Sequence, residues 1–145
     1  TLYFYNNTVV STRKDGTQLF WTSTNDEICD ARNNIFFTEG GGRSLILMRY
    51  GKGILQFENN YLKPGYRHAA EAKDAIVRGE KTSVLDTTPA FVDGPGENFH
   101  LSARSICRGN AKALAPAALP VEREYKKHQS STPLPAGQKL SIGAY

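Results

Sequence analysis

Apolar and polar residues alternate with the period of two expected of a half-buried strand in three separate stretches: Leu2-Tyr3-Phe4-Tyr5, Cys29-Asp30-Ala31-Arg32 and Leu55-Gln56-Phe57-Glu58. One face of each carries the apolar residues. The other carries Tyr3 and Tyr5, Asp30 and Arg32, or Gln56 and Glu58. An asparagine pair follows each stretch at once, Asn6-Asn7, Asn33-Asn34 and Asn59-Asn60, and the pairs start 27 and 26 residues apart. Upstream, Leu19, Trp21, Ile28 and Cys29 have apolar counterparts 26 residues later in Leu45, Leu47, Ile54 and Leu55.

A repeat of this length marks a solenoid, in which each unit buries its apolar face only against its neighbours. The Leu-x-x-Leu-x-Leu frame of a leucine-rich horseshoe is missing, and no helical period runs between the asparagine pairs. The pattern therefore predicts an all-β, single-stranded parallel β-helix with coils of 26–27 residues and equivalent strands stacked roughly 4.8 Å apart. A corner between two strands needs a residue that tolerates left-handed dihedrals, which asparagine does, and stacked asparagine amides can bond from coil to coil. Asn6, Asn7, Asn33, Asn34, Asn59 and Asn60 are thus expected to form a structural ladder.

The pattern changes further on. Ala69, Ala70, Ala72, Ala75, Ile76 and Val77 sit among charged residues, which predicts a short helical insert over 67–81 ending near Gly79. From Ala115 onward Pro116, Pro120, Pro133 and Pro135 punctuate the chain, predicting an extended tail that runs back along the outside of the coils. The expected organisation is one domain, with coils over 1–66, the helical insert, and a last coil with the tail over 82–145. Because Leu2–Val10 already reads as mid-coil, upstream coils or another chain are expected to cover the N-terminal edge.

These residues resemble the secreted right-handed parallel β-helix proteins, a pectate-lyase-like group of bacterial and other polysaccharide-active chains. The resemblance lies in Tyr5-Asn6-Asn7-Thr8-Val9-Val10, in Arg32-Asn33-Asn34-Ile35-Phe36, and in the ending, where Ser105-Ile106-Cys107 and Ser141-Ile142-Gly143-Ala144-Tyr145 look like that group's closing pattern. The chain departs from it at Ile106, Gly109, Ala111 and Ser141. The resemblance implies the C-terminal portion of an exported protein, secreted, periplasmic or at the cell surface, that binds or processes polysaccharide. If it is an enzyme, it would be a polysaccharide lyase or glycoside hydrolase with its main catalytic residues outside this piece. The alternative is a β-helix for structural support, adhesion or surface attachment.

A net charge of +4 favours a polyanionic partner only weakly, because the basic residues are scattered, and nothing calls for nucleic acid. No stretch of 18 apolar residues suits a membrane span. Cys29 and Cys107 could form one bridge or remain buried thiols. Asp26, Glu27 and Asp30 are the carboxylates nearest to a Ca²⁺ set, though no motif supports one, and Asn25-Asp26 reads first as a turn. His68, His100 and His128 lack metal-ligand spacing, so no metal and no cofactor are expected. Arg49, Lys52 and Arg67 are cations of the kind a lyase uses, and Gly40-Gly41-Gly42 reads as a flexible turn rather than a phosphate loop. The best binding surface is the outward row of Tyr3, Tyr5, Asp30, Arg32, Gln56 and Glu58, whose simpler reading is a solvated sheet face with cross-strand charge pairs.

Overall fold

The computed structural model describes residues 1–49, 52–69 and 74–144. The chain winds as a parallel β-solenoid of about three turns. The first coil consists of β1 (Leu2–Tyr5), β2 (Thr8–Ser11) and β3 (Thr17–Phe20), and the second of β4 (Ile28–Arg32), β5 (Ile35–Thr38) and β6 (Leu45–Met48). The third is β7 (Ile54–Glu58), β8 (Tyr61–Leu62) and β9 (Arg67–Ala69), and β10 (Ile76–Arg78) with β11 (Val84–Leu85) begins a fourth. Stacking yields three parallel sheets, β1-β4-β7-β10, β11-β8-β5-β2 and β3-β6-β9.

In the first sheet the register follows the alternation residue for residue: Leu2 pairs with Cys29 and Cys29 with Leu55, Tyr3 with Asp30 and Asp30 with Gln56, Tyr5 with Arg32 and Arg32 with Glu58. The third sheet differs from expectation. Thr17 pairs with Leu45 and Phe20 with Met48, a 28-residue offset, so Trp21 is not the counterpart of Leu47 and stands 72% exposed. The residues that make up the difference lie in the Trp21–Glu27 loop, which is longer than the stretch between β6 and β7.

The described residues do not form the helical insert. Among the described residues of 67–81, Arg67–Ala69 and Ile76–Arg78 are strands, and Glu80–Thr82 is a single 3₁₀ turn after Gly79 at φ 80°. Residues 70–73 of that prediction lie outside the described residues. Tertiary pairing overrides local propensity here, because β7 presents an open ladder edge and Val77 can continue the inner column above Leu55.

Inside the coils, Phe4, Phe36 and Phe57 stack with centroids 6.1 and 5.5 Å apart, and Phe20 meets each of the three edge-on. Cys29, Ala31, Leu45, Leu47, Leu55 and Leu62 complete this core. The middle of the second sheet, β5 and β8, is buried on both faces. Outside it, Ile35 and Tyr61 pack with Cys107 and Ile142, flanked by Phe37, Phe91 and Leu101. That cover explains why Ile35-Phe36-Phe37 is an unbroken apolar run rather than an alternating one.

The cover comes from the tail. An antiparallel hairpin of β12 (Phe91–Asp93) and β13 (Asn98–Leu101) is followed by turns through Cys107, then by a second hairpin of β14 (Arg123–Lys126) and β15 (Ser130–Pro133). The chain then returns to the first two coils, where the Gly143 N–H donates to the Asn33 carbonyl of the second at 2.7 Å and the Ala144 N–H to Thr8 Oγ1 of the first at 3.0 Å. Glycine is required at position 143, because φ is 96° and a Cβ would stand 2.6 Å from Ile35 Cδ1. Gly42 is likewise fixed by close packing rather than by flexibility, since a Cβ there would lie 1.8 Å from the Pro64 carbonyl oxygen.

Cys29 and Cys107 are unpaired and sit in separate clusters, the first inside the coils and the second beneath the tail. Burial raises both thiols to about 11, helped at Cys29 by the Asp30 charge. Both are therefore expected to resist a maleimide at neutral pH in the folded chain and to react with two equivalents in denaturant, read by intact mass. Rapid labelling of either native thiol would contradict this packing. Because the folded pKa values lie above the ordinary thiol value, their contribution to stability is complete below pH 9 and is lost as pH rises towards 11.

Candidate functional site: the outward strand face and the asparagine corner

The two asparagines of each pair have different tasks. Asn6, Asn33 and Asn59 take left-handed dihedrals at φ 53°, 57° and 50° and turn the corner, which directs the next side chain inward. The inner three form the ladder. Asn34 Oδ1 accepts from the Asn7 N–H at 2.9 Å and from Asn7 Nδ2 at 3.1 Å, and Asn60 Oδ1 accepts from the Asn34 N–H and Nδ2, each at 2.9 Å. Each inner Nδ2 also donates to a strand carbonyl, those of Tyr5, Phe4 and Ala31.

The outer three face the tail. Asn6 Nδ2 donates to the Ser141 carbonyl at 2.8 Å, Asn33 Nδ2 to that of Lys112 at 2.9 Å, and Asn59 Nδ2 to that of Asn110 at 2.9 Å. Asn33 Oδ1 in turn accepts from the Lys112 N–H at 2.9 Å and from Asn59 Nδ2 at 2.8 Å. Six asparagines expected as one ladder are thus an inner ladder of three and an outer row of three that holds the C-terminal segment.

On the outward face of the first sheet, Tyr3, Asp30, Gln56 and Arg78 share one row, and Tyr5, Arg32 and Glu58 the next. Arg32 grips Asp30 with two parallel bonds, Nε to Oδ1 at 2.7 Å and Nη2 to Oδ2 at 3.1 Å, and its Nη1 lies 3.3 Å from Glu58 Oε2. The guanidinium, held between two carboxylates, is pushed up by the Asp30 hydrogen bonds first and by both charges. Asp30 is only 5% exposed, whereas Tyr3 is 41% exposed with its ring centroid 5.6 Å from that of Tyr5. Burial, then the charge of the nearby Asp30 carboxylate and the hydroxyl's interaction with it, raises the Tyr5 hydroxyl to about 12. What remains accessible is a strip of tyrosine rings, amide and guanidinium edges on a rigid sheet.

No match was found for this chain among protein families, curated proteins or solved structures.

Other candidates are dispersed. The Glu27 carboxylate accepts the Ser23 and Thr24 N–H groups, bonds that hold it below the usual carboxylate range, while Asp30 faces Arg32. Glu27 therefore serves a turn and Asp30 an ion pair. Among the described residues no group of three His, Cys, Asp or Glu comes together as a metal set would. His68 pairs with Glu80 at 3.1 Å, His100 lies in β13 and His128 in the turn of the second hairpin. Arg49 donates to Gln18 and Arg67 to the Arg43 carbonyl, on the side of the third sheet and away from the ladder of Arg32. Among the described residues no helix is long and apolar enough to cross a membrane.

Proposed function

We propose that this β-solenoid is part of an exported protein that binds polysaccharide along the outward face of the first sheet. The observation that carries this reading is the pair of registered rows, Tyr3-Asp30-Gln56-Arg78 and Tyr5-Arg32-Glu58. They set ring faces and planar hydrogen-bonding groups at the strand repeat, a spacing suited to an extended chain of sugar rings rather than a compact ligand. Binding is favoured over cleavage because the carboxylates beside the tyrosines are engaged by Arg32, whereas a glycosidase divides acid and base work between two carboxyl groups that face the substrate. That same ion-pair network favours the second reading, a solenoid whose strand face is structural and whose role is adhesion or support.

Affinity electrophoresis of the 145-residue chain in gels containing acidic or neutral polysaccharides separates the two. Retardation is expected, and Tyr3→Ala with Gln56→Ala is expected to weaken it about fivefold or more, the effect of a contributing contact residue. Unretarded migration in every polymer would remove the binding reading. New unsaturated ends absorbing in the ultraviolet would replace it with that of a lyase.

A further inference from the structure

The bonds from coil to coil repeat along the solenoid. The N–H of the first residue after each corner donates to the inner corner residue of the preceding coil: Ile35 to the Asn7 carbonyl, Tyr61 to that of Asn34 and Val84 to that of Asn60, each at 2.8 Å. Thr8, in register with Ile35, is next in this series, and its N–H makes no such bond among the described residues. Asn34 Oδ1 and Asn60 Oδ1 each accept two bonds from the preceding coil, whereas Asn7 Oδ1 accepts none among the described residues. Asn34 Nδ2 and Asn60 Nδ2 reach back to the Phe4 and Ala31 carbonyls of the preceding coil, but Asn7 Nδ2 turns to the Tyr5 carbonyl of its own. The inner column opens at the same end: Cys29 and Leu55 are 4% and 0% exposed, and Leu2, in register with them, is 61% exposed. There β1, β2 and β3 are the edges of their sheets, and none of their residues is charged or proline. Edge strands are ordinarily guarded by such residues, as β9 and β10 are at the far end by Arg67, His68 and Arg78.

We propose that this end of the solenoid is a docking surface for one further coil of the same repeat, entering parallel to β1 and carrying an asparagine at its inner corner. The N–H and Nδ2 of that asparagine supply Asn7 Oδ1, its carbonyl takes the Thr8 N–H, and the apolar column of the coil covers Leu2. The ladder is directional, which excludes a second copy of this chain as the occupant. Stacked head to tail, the copy presents Ser83 where the asparagine is needed, because Val84 pairs with Tyr61. Ser83 has no side-chain amide, and its N–H is already donated to the Glu80 carbonyl. Stacked head to head, two Asn7 acceptors meet and the strands run antiparallel, whereas β1, β2 and β3 all pair in parallel. A single extended strand would satisfy one sheet edge and leave two open. The inference stands whether or not the strand face holds sugar.

A copy of residues 28–53 placed directly ahead of Thr1 builds such a coil in register, because Ile28 pairs with Ile54 and Thr1 then takes the place of Ile54. The extended chain is expected to unfold at a urea midpoint about 1 M or more above that of the 145-residue chain, and to exchange its Thr8 amide about tenfold or more slowly. Asn34→Leu made in the added copy alone leaves Asn7 Oδ1 without its side-chain donor and should cancel about half of the gain or more. An unchanged midpoint with an unprotected Thr8 amide overturns the proposal, as does a gain indifferent to that asparagine. Should the extended chain fail to fold, a synthetic peptide of residues 28–48 titrated into the 145-residue chain carries the test. Saturable slowing of Thr8 exchange is then expected, and its absence overturns the proposal. Self-association of the 145-residue chain that protects Thr8, read by sedimentation and exchange together, would make a second copy the occupant and overturn it as well.

Discussion

Replacing Asn34 by Leu is expected to destabilise the fold by about 3–5 kcal/mol, seen as a lowered urea midpoint with little change in slope. Leucine nearly matches asparagine in shape, so the loss reports hydrogen bonding rather than volume. The substitution strips the acceptor from the Asn7 N–H and Nδ2, the donor from the Phe4 carbonyl, and one of the two donors from Asn60 Oδ1. Asn34 and Asn60 are fully buried, so water cannot replace these bonds, and each orphaned group costs about 1–3 kcal/mol. A variant within about 1 kcal/mol of the parent would show that the ladder does not hold the coils together.

Ile142→Ala carries the second large effect, about 2–4 kcal/mol, but with a different signature. Ile142 is fully buried against Ile35, Tyr61 and Cys107, and its N–H donates to the Cys107 carbonyl at 2.9 Å. Truncation leaves a cavity under the tail and none inside the coils, so the tail is expected to open first. Limited trypsin digestion should cut at Arg108, Lys112 or Arg123 well before the coils unfold. If cutting and loss of β-sheet circular dichroism stay in step, the tail is not a separable unit.

Much of the solenoid is readable from residue order alone, and where reading stops has physical causes. The first sheet is legible because its outer face meets water, so Tyr3, Asp30 and Gln56 alternate cleanly with Leu2, Cys29 and Leu55. The third sheet is misaligned by two residues because the Trp21–Glu27 loop absorbs an insertion that apolar spacing cannot reveal. The fourth rung is hidden by alanines, whose helix preference is weaker than the pull of an open β7 edge. Of the strand-face site, Tyr3, Tyr5, Asp30, Arg32, Gln56 and Glu58 are all legible as outward residues, because strand alternation fixes the face of each side chain. The hold of the outer asparagines on the tail is illegible for another reason: its acceptors are the backbone carbonyls of Asn110, Lys112 and Ser141, which every residue type possesses.

That hold joins positions 135 and 136 residues apart, Asn6 to Ser141 and Thr8 to Ala144, while the rungs of the ladder join positions only 26 or 27 apart. Closing the longer loop costs only about 1.5 kcal/mol more, since chain entropy grows with the logarithm of length. The real toll is temporal. The Asn33 and Asn59 amides that receive the tail are aligned by the stacking of the second and third coils, so the clasp has no template until the short-range rungs exist. The solenoid is a coil that can wind locally and then locks itself shut with its own far end.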